Sequence, residues 1–270
     1  MRLFLALGLT ILWVNCAFAG AGTGSANAIV SGKPATTGFS SSTALRASVP
    51  DWPAQTNSDR IFARADYNME IALEPDRASA YFYRGQAERR HGNLVGAEAD
   101  TTLAARLDPS LATNAASEFV ALGYLRYQLQ DLTNALSDFS RACELNPPDG
   151  QAHLAMWLCN SRLCDVQIAN FQLQSYLAKD SAEATNAWTA EVARFLMGKV
   201  PEADFLNAAK ADGDKSQAHY CEACFFTASK HLVSGDKTAA TAYFKECLST
   251  RLQHSDEYKA AKAELRRLAH

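Results

Sequence analysis

Small residues recur in this chain at a fixed spacing, and no other feature narrows its fold as much. Numbering residues 78–111 from 1 to 34 puts Tyr81 at position 4, Gly85 at 8, Gly92 at 15, Ala97 at 20, Ala104 at 27 and Pro109 at 32. Residues 116–149 repeat the scheme with Phe119 at 4, Leu122 at 7, Gly123 at 8, Ala135 at 20, Phe139 at 24, Ala142 at 27 and Pro147 at 32. A third copy, residues 221–253, has Ala228 at 8, Gly235 at 15, Ala240 at 20, Phe244 at 24 and Cys247 at 27. Small side chains at 8, 20 and 27 let two antiparallel helices approach closely, bulky ones at 4, 7 and 24 fill the space between them, and proline stops the second helix. A period near 34 marks stacked two-helix units, none of which buries its apolar face alone.

These residues resemble tetratricopeptide (TPR) repeats. The resemblance implies an all-α fold, a TPR-like superhelix: a right-handed α-solenoid of antiparallel helix pairs. Residues 58–270 are assigned to this helical domain. Residues 59–74 match only the second helix of a repeat, with Ala63, Tyr67 and Pro75 at positions 20, 24 and 32, and are read as an N-terminal cap. Residues 151–215 hold four helical stretches, roughly 151–163, 166–179, 185–198 and 201–211, that match the scheme poorly and are read as divergent hairpins. The charged amphipathic stretch 256–268 is suited to capping the other end of the stack.

The N-terminal part has a different character. Arg2, the apolar run from Leu3 to Val14 and Ala17-Phe18-Ala19 predict a signal peptide over residues 1–19, cut after Ala19, and hence an exported, periplasmic or secreted protein. The apolar run is short for a membrane span, no later stretch is apolar enough to be one, and Trp13-Val14-Asn15 is a poor lipidation signal ahead of Cys16. Residues 20–57 are rich in Gly, Ser, Thr and Pro and carry little apolar pattern, the composition of a flexible linker. With 26 basic against 29 acidic residues and no basic cluster, the chain lacks the electrostatic footprint of a nucleic-acid binder.

A closer resemblance rests on residues 152–158 (AHLAMWL), on Trp188 with 195–199 (FLMGK), on 221–226 (CEACFF) and on 231–236 (HLVSGD). In these the chain is similar to the NlpI-type periplasmic TPR lipoproteins. That likeness implies an adaptor without chemistry of its own, often a homodimer, holding peptidoglycan hydrolases and an envelope protease. The poor lipidation signal and the long linker depart from that family, and no partner-binding motif carries over residue by residue.

Positions 2, 5, 9, 12 and 13 of each first helix line the concave surface of a TPR stack. Here they are Ser79, Phe82, Gln86, Arg89 and Arg90, then Ser117, Val120, Tyr124, Tyr127 and Gln128, then Glu222, Phe225, Ser229, Leu232 and Val233. Phe82, Gln86, Arg89, Arg90, Tyr124, Tyr127, Gln128, Phe225 and Ser229 are the candidate partner-binding groove. Tyr124, Tyr127, Arg89 and Arg90 are expected to face solvent, with the arginines favouring an acidic segment.

No catalytic residue and no cofactor is assigned: HExxH, GxSxG and a phosphate-binding glycine loop are all missing. Six cysteines follow the signal. Cys143 and Cys247 stand at or beside position 27 and read as packed small side chains, while Cys159, Cys164, Cys221 and Cys224 are open to a structural disulfide. Cys221 and Cys224, at a helix start, also support a weaker thiol or, with His219 and His231, zinc reading. A self-assembling structural envelope protein is the remaining alternative.

Overall fold

A computed structural model describes residues 57–179, 187–211 and 213–269. The signal and linker readings fall outside these residues, save for Asn57. Among them are twelve α-helices and no strand: α1 (Asn57–Leu73), α2 (Ala78–Arg90), α3 (Leu94–Leu107), α4 (Ala112–Gln128), α5 (Leu132–Leu145), α6 (Gly150–Leu163), α7 (Val166–Lys179), α8 (Ala187–Leu196), α9 (Glu202–Ala211), α10 (Ser216–Val233), α11 (Lys237–Ser249) and α12 (Asp256–Leu268). Each packs on the next, most closely in the pairs α2/α3, α4/α5 and α10/α11, so the helical unit is an α-solenoid of hairpins.

The repeat spacing has a direct steric cause. A Cβ on Gly123, at position 8 of its repeat, would lie 2.5 Å from the ring of Phe139, at position 24; on Gly85 it would lie 3.0 Å from Thr101, also at position 24. Ala97, Ala104, Ala135, Ala142, Ala228, Ala240 and Cys247 are all fully buried at their helix contacts. The hairpin turns place Gly92 at φ +82° and Gly235 at φ +87°, left-handed conformations that glycine adopts without steric cost. Gln130 holds the same repeat position at φ 63°, a strained choice for a side chain with a Cβ. Second helices begin on an acceptor that satisfies a free amide: Asn93 for Gly96, Asp131 for Asn134 and Asp236 for Ala239.

The divergent middle is joined differently. Trp157 Nε1 donates to Asn170 at 2.8 Å and Asn160 Nδ2 to Gln172 at 2.6 Å, which ties α6 to α7 through polar side chains. Aromatic stacking joins α8 to α9, with Phe195 and Phe205 centroids 4.2 Å apart and Trp188 also stacked on Phe205 at 5.4 Å. Bulky contacts of this kind replace the small-residue approach, which explains why the repeat pattern fades here.

The last helix departs from the cap expectation. It packs on α11 as a cap does, but it also lies against α10 and against α4, far back in the chain.

Candidate functional site

The first helices α2, α4, α6 and α10 present the face on which a partner segment was expected. Along α4 and α10 that face is covered by α12. Tyr124 and Tyr127 are each 1% exposed and Phe225 is fully buried, while Ser229 is buried and donates to the Phe225 carbonyl at 2.8 Å. The expectation that Tyr124 and Tyr127 face solvent is therefore corrected: the Tyr124 ring packs edge-on against Phe139 of α5, the Tyr127 ring against Phe225 of α10, and α12 lies against both α4 and α10. The Tyr124 hydroxyl lies buried without a hydrogen-bond partner among the described residues. Burial, reinforced by the nearby Glu257 carboxylate, pushes its pKa well up, and burial reinforced by Glu264 does the same for Tyr127.

A charged cluster holds α12 in position. Glu264, fully buried, accepts from Arg162 of α6 at 2.6 Å, from Arg267 at 2.9 Å and from Gln130 at 3.3 Å. Arg162 also donates to the Gln130 side-chain oxygen at 2.7 Å and to the Tyr127 hydroxyl at 3.3 Å, and its guanidinium sits 5.6 Å from the Tyr127 ring centre. These cations hold the Glu264 carboxyl below the usual carboxylate range, against the opposing effect of burial. Nothing in the repeat pattern singles out Arg162 or Glu264. Gln130 carried a signal, since it stands where the other repeats have glycine.

Toward the N-terminal end the same face is more open. Arg90 is exposed, Gln86 and Gln128 are half-buried and Phe82 is buried. Arg89 also departs from expectation: it is paired with the buried Glu118 of α4, through both Nε and, at 3.3 Å, Nη2. The acid at position 3 of the following repeat neutralises it, leaving Arg90 as the arginine available to a partner.

Beside α12 lies a polar cleft of about 290 Å³ lined by Gln151, Trp188, His219, Glu222, Ser255 and Glu257, among others. Trp188 Nε1 donates to Glu222 at 2.7 Å and the indole stacks on His219 at 4.3 Å. Burial, and for Glu222 the facing Glu257 carboxylate, raises both carboxyls above their ordinary range. A second, more apolar cleft of about 770 Å³ runs between α5, α6 and α7, lined by Cys143, Pro147, His153, Met156, Phe171 and Tyr176, among others. On its rim Phe171 is 71% exposed and Ile168 is exposed one turn away.

The residues drawn together by a zinc reading are dispersed. His231 pairs with Glu202 at 2.8 Å, and no group of three or more candidate ligands assembles among the described residues. Cys159, Cys164, Cys221 and Cys224 are all free thiols, with Cys164 exposed.

No family model matches the chain. It is 37% identical over 106 residues to tetratricopeptide repeat protein 36 of Mus musculus, covering 37% of this chain and 56% of that protein. To the Homo sapiens protein of the same name it is 34% identical over 116 residues, covering 43% and 61%. The chain thus spans little more than half the length of these relatives. The crystal structure of MamA is similar at 15% identity, covering 72% of this chain and 90% of that one with a TM-score of 0.41. The repeated small-residue register, the helix pairs built on it and the repeat-bearing relatives together make this chain a tetratricopeptide repeat protein.

Proposed function

We propose that this protein is a non-enzymatic adaptor that holds helical segments of partner proteins against the first-helix face of its solenoid. One observation carries the reading: that face already grips an amphipathic helix, its own α12, over an aromatic floor of Tyr124, Tyr127 and Phe225 and through the Arg162–Glu264 contact. Seating the apolar side of a helix in a groove and fixing its register with a charge pair is a general mode of peptide recognition. A partner helix with an acidic residue on its polar edge would use the same chemistry, at the open end beside Gln86 and Arg90 or in place of α12.

The reading includes export. The leader-like residues 1–19 support it, and the NlpI-type resemblance supplies envelope proteases and peptidoglycan hydrolases as the partner class. The animal relatives lend that part no support. A different surface favours a second reading, self-assembly: exposed Ile168 and Phe171 on α7 beside the larger cleft offer an apolar patch to another copy.

Crosslinked capture from the native source, analysed by mass spectrometry, tests the adaptor. The parent chain is compared with a Gln86→Ala, Arg90→Glu variant. Proteins held by the parent and released by the variant are the expected result. If both recover only the chain itself, the adaptor reading fails in favour of self-assembly.

A further inference from the structure

Cys221 opens the third repeat on α10, and Cys247 sits at its position 27 on α11. Their sulfurs lie 3.3 Å apart, and both side chains are buried. A disulfide needs a sulfur separation of about 2.05 Å, so roughly an ångström of approach along the existing direction closes the bond. The two thiols are not equivalent. Around the Cys221 sulfur stand Cys247 and, 3.8 Å away, the Ser255 hydroxyl, with Thr250 close by. These donors push the Cys221 thiol down to about 7, whereas the Cys247 thiol is raised by its bond to Cys221 and by burial. Cys224, three residues along the same helix, is pushed up to about 12 by burial. Both candidate partners hold their protons tightly, so position decides between them: the Cys247 sulfur, on the next helix, is the one that lies 3.3 Å from Cys221.

We infer that Cys221 and Cys247 are a peroxide-oxidisable thiol pair that closes into a disulfide tying α10 to α11. Access is provided beside the pair: Ser255, in contact with the Cys221 sulfur, also lines the small polar cleft with His219 and Glu222. In the first step the Cys221 thiolate attacks one oxygen of hydrogen peroxide, the O–O bond breaks, and hydroxide leaves as water with the thiol's proton. Cys221 is now a sulfenic acid. The Cys247 sulfur then attacks the Cys221 sulfur, the S–O bond breaks, and a second water leaves with the Cys247 proton. Two thiols are oxidised and one peroxide is reduced to two waters. The bond locks the helix pair next to Thr250 and Ser255, where the chain turns into α12. This inference stands apart from the adaptor reading.

The test uses the purified full chain, treated with hydrogen peroxide, denatured in an alkylating agent and digested with trypsin. The peptide 216–230, carrying Cys221 and Cys224, is expected linked to 246–251, carrying Cys247, with Cys224 alkylated. Dithiothreitol should release the link. Position 27 is alanine in the other repeats, so Cys247→Ala is the variant expected to fold, with a circular dichroism melt as the check. It should abolish the link, whereas Cys224→Ser should keep it. Exposed Cys164 reports that oxidant was present. Oxidation of Cys164 with Cys221 and Cys247 both recovered alkylated would overturn the inference, as would a Cys221–Cys224 bond.

Discussion

Tyr124 shows why a surface position in a repeat scheme need not be a surface residue. Its repeat register is that of a groove-lining side chain, yet its hydroxyl is buried and without a partner among the described residues. A buried hydroxyl without a hydrogen bond costs stability, so Tyr124→Phe should stabilise the fold by about 1 kcal/mol in urea unfolding. Destabilisation instead would mean that a bound water satisfies the hydroxyl. The acids beside α12 make a different prediction. Burial raises both Glu222 and Glu257 above the ordinary value of 4.5. A carboxyl whose folded pKa is raised holds its proton more tightly when folded, so stability falls as pH rises from about 4.5 through the raised folded value. Glu222→Gln keeps an acceptor for Trp188 and removes one such acid. Its thermal midpoint should exceed the parent's at about pH 8 and approach it at about pH 5. Parallel curves would show that Glu222 ionises in the folded protein without penalty. Residue identities announced the positions of these acids but not that they share one cleft, because the sharing depends on α12 returning to α10.

At the scale of elements, α12 is the informative helix. Its amphipathic pattern was legible as a cap, and it does pack on α11, but its contacts with α4 and the turn after it join residues more than a hundred positions apart, such as Gln130 of that turn and Glu264. Arg162→Ala removes the cation nearest a fully buried carboxylate and leaves Arg267 as the arginine still bonded to it. Stranding a buried charge is costly, and a loss of about 3 kcal/mol is expected in chemical unfolding. Hydrogen exchange should place the loss: amides of α12 and of the facing part of α4 should lose protection before those of α2 and α3. Uniform deprotection of all helices would mean that α12 is not a separable clasp. The hairpins themselves were legible for a simple reason. Positions 8 and 24 of one repeat touch, so glycine or alanine at one must accompany its partner at the other, as with Gly123 and Phe139.

For the molecule as a whole, the predicted leader sets a sharp expectation. Intact-mass measurement of the protein from its native host should give a chain beginning at Gly20, as cleavage after Ala19 requires. A mature protein that retains residues 1–19 would remove the export part of the proposed function while leaving the adaptor part in place. The two parts rest on different stretches of chain, one on the leader and the other on the face shared by α4, α6 and α10.

The sequence by itself determined the local architecture: where helices pair, which residues are small, and that the unit is a solenoid. Those follow from contacts within one repeat, whose spacing is written directly in the chain. Only the tertiary structure decided what the inner face holds. It set α12 over Tyr124 and Tyr127, gave Arg89 to Glu118 and brought Cys221 to Cys247 rather than to Cys224. Such contacts depend on how successive repeats and the last helix stack in space, and a spacing pattern within one repeat does not encode that geometry.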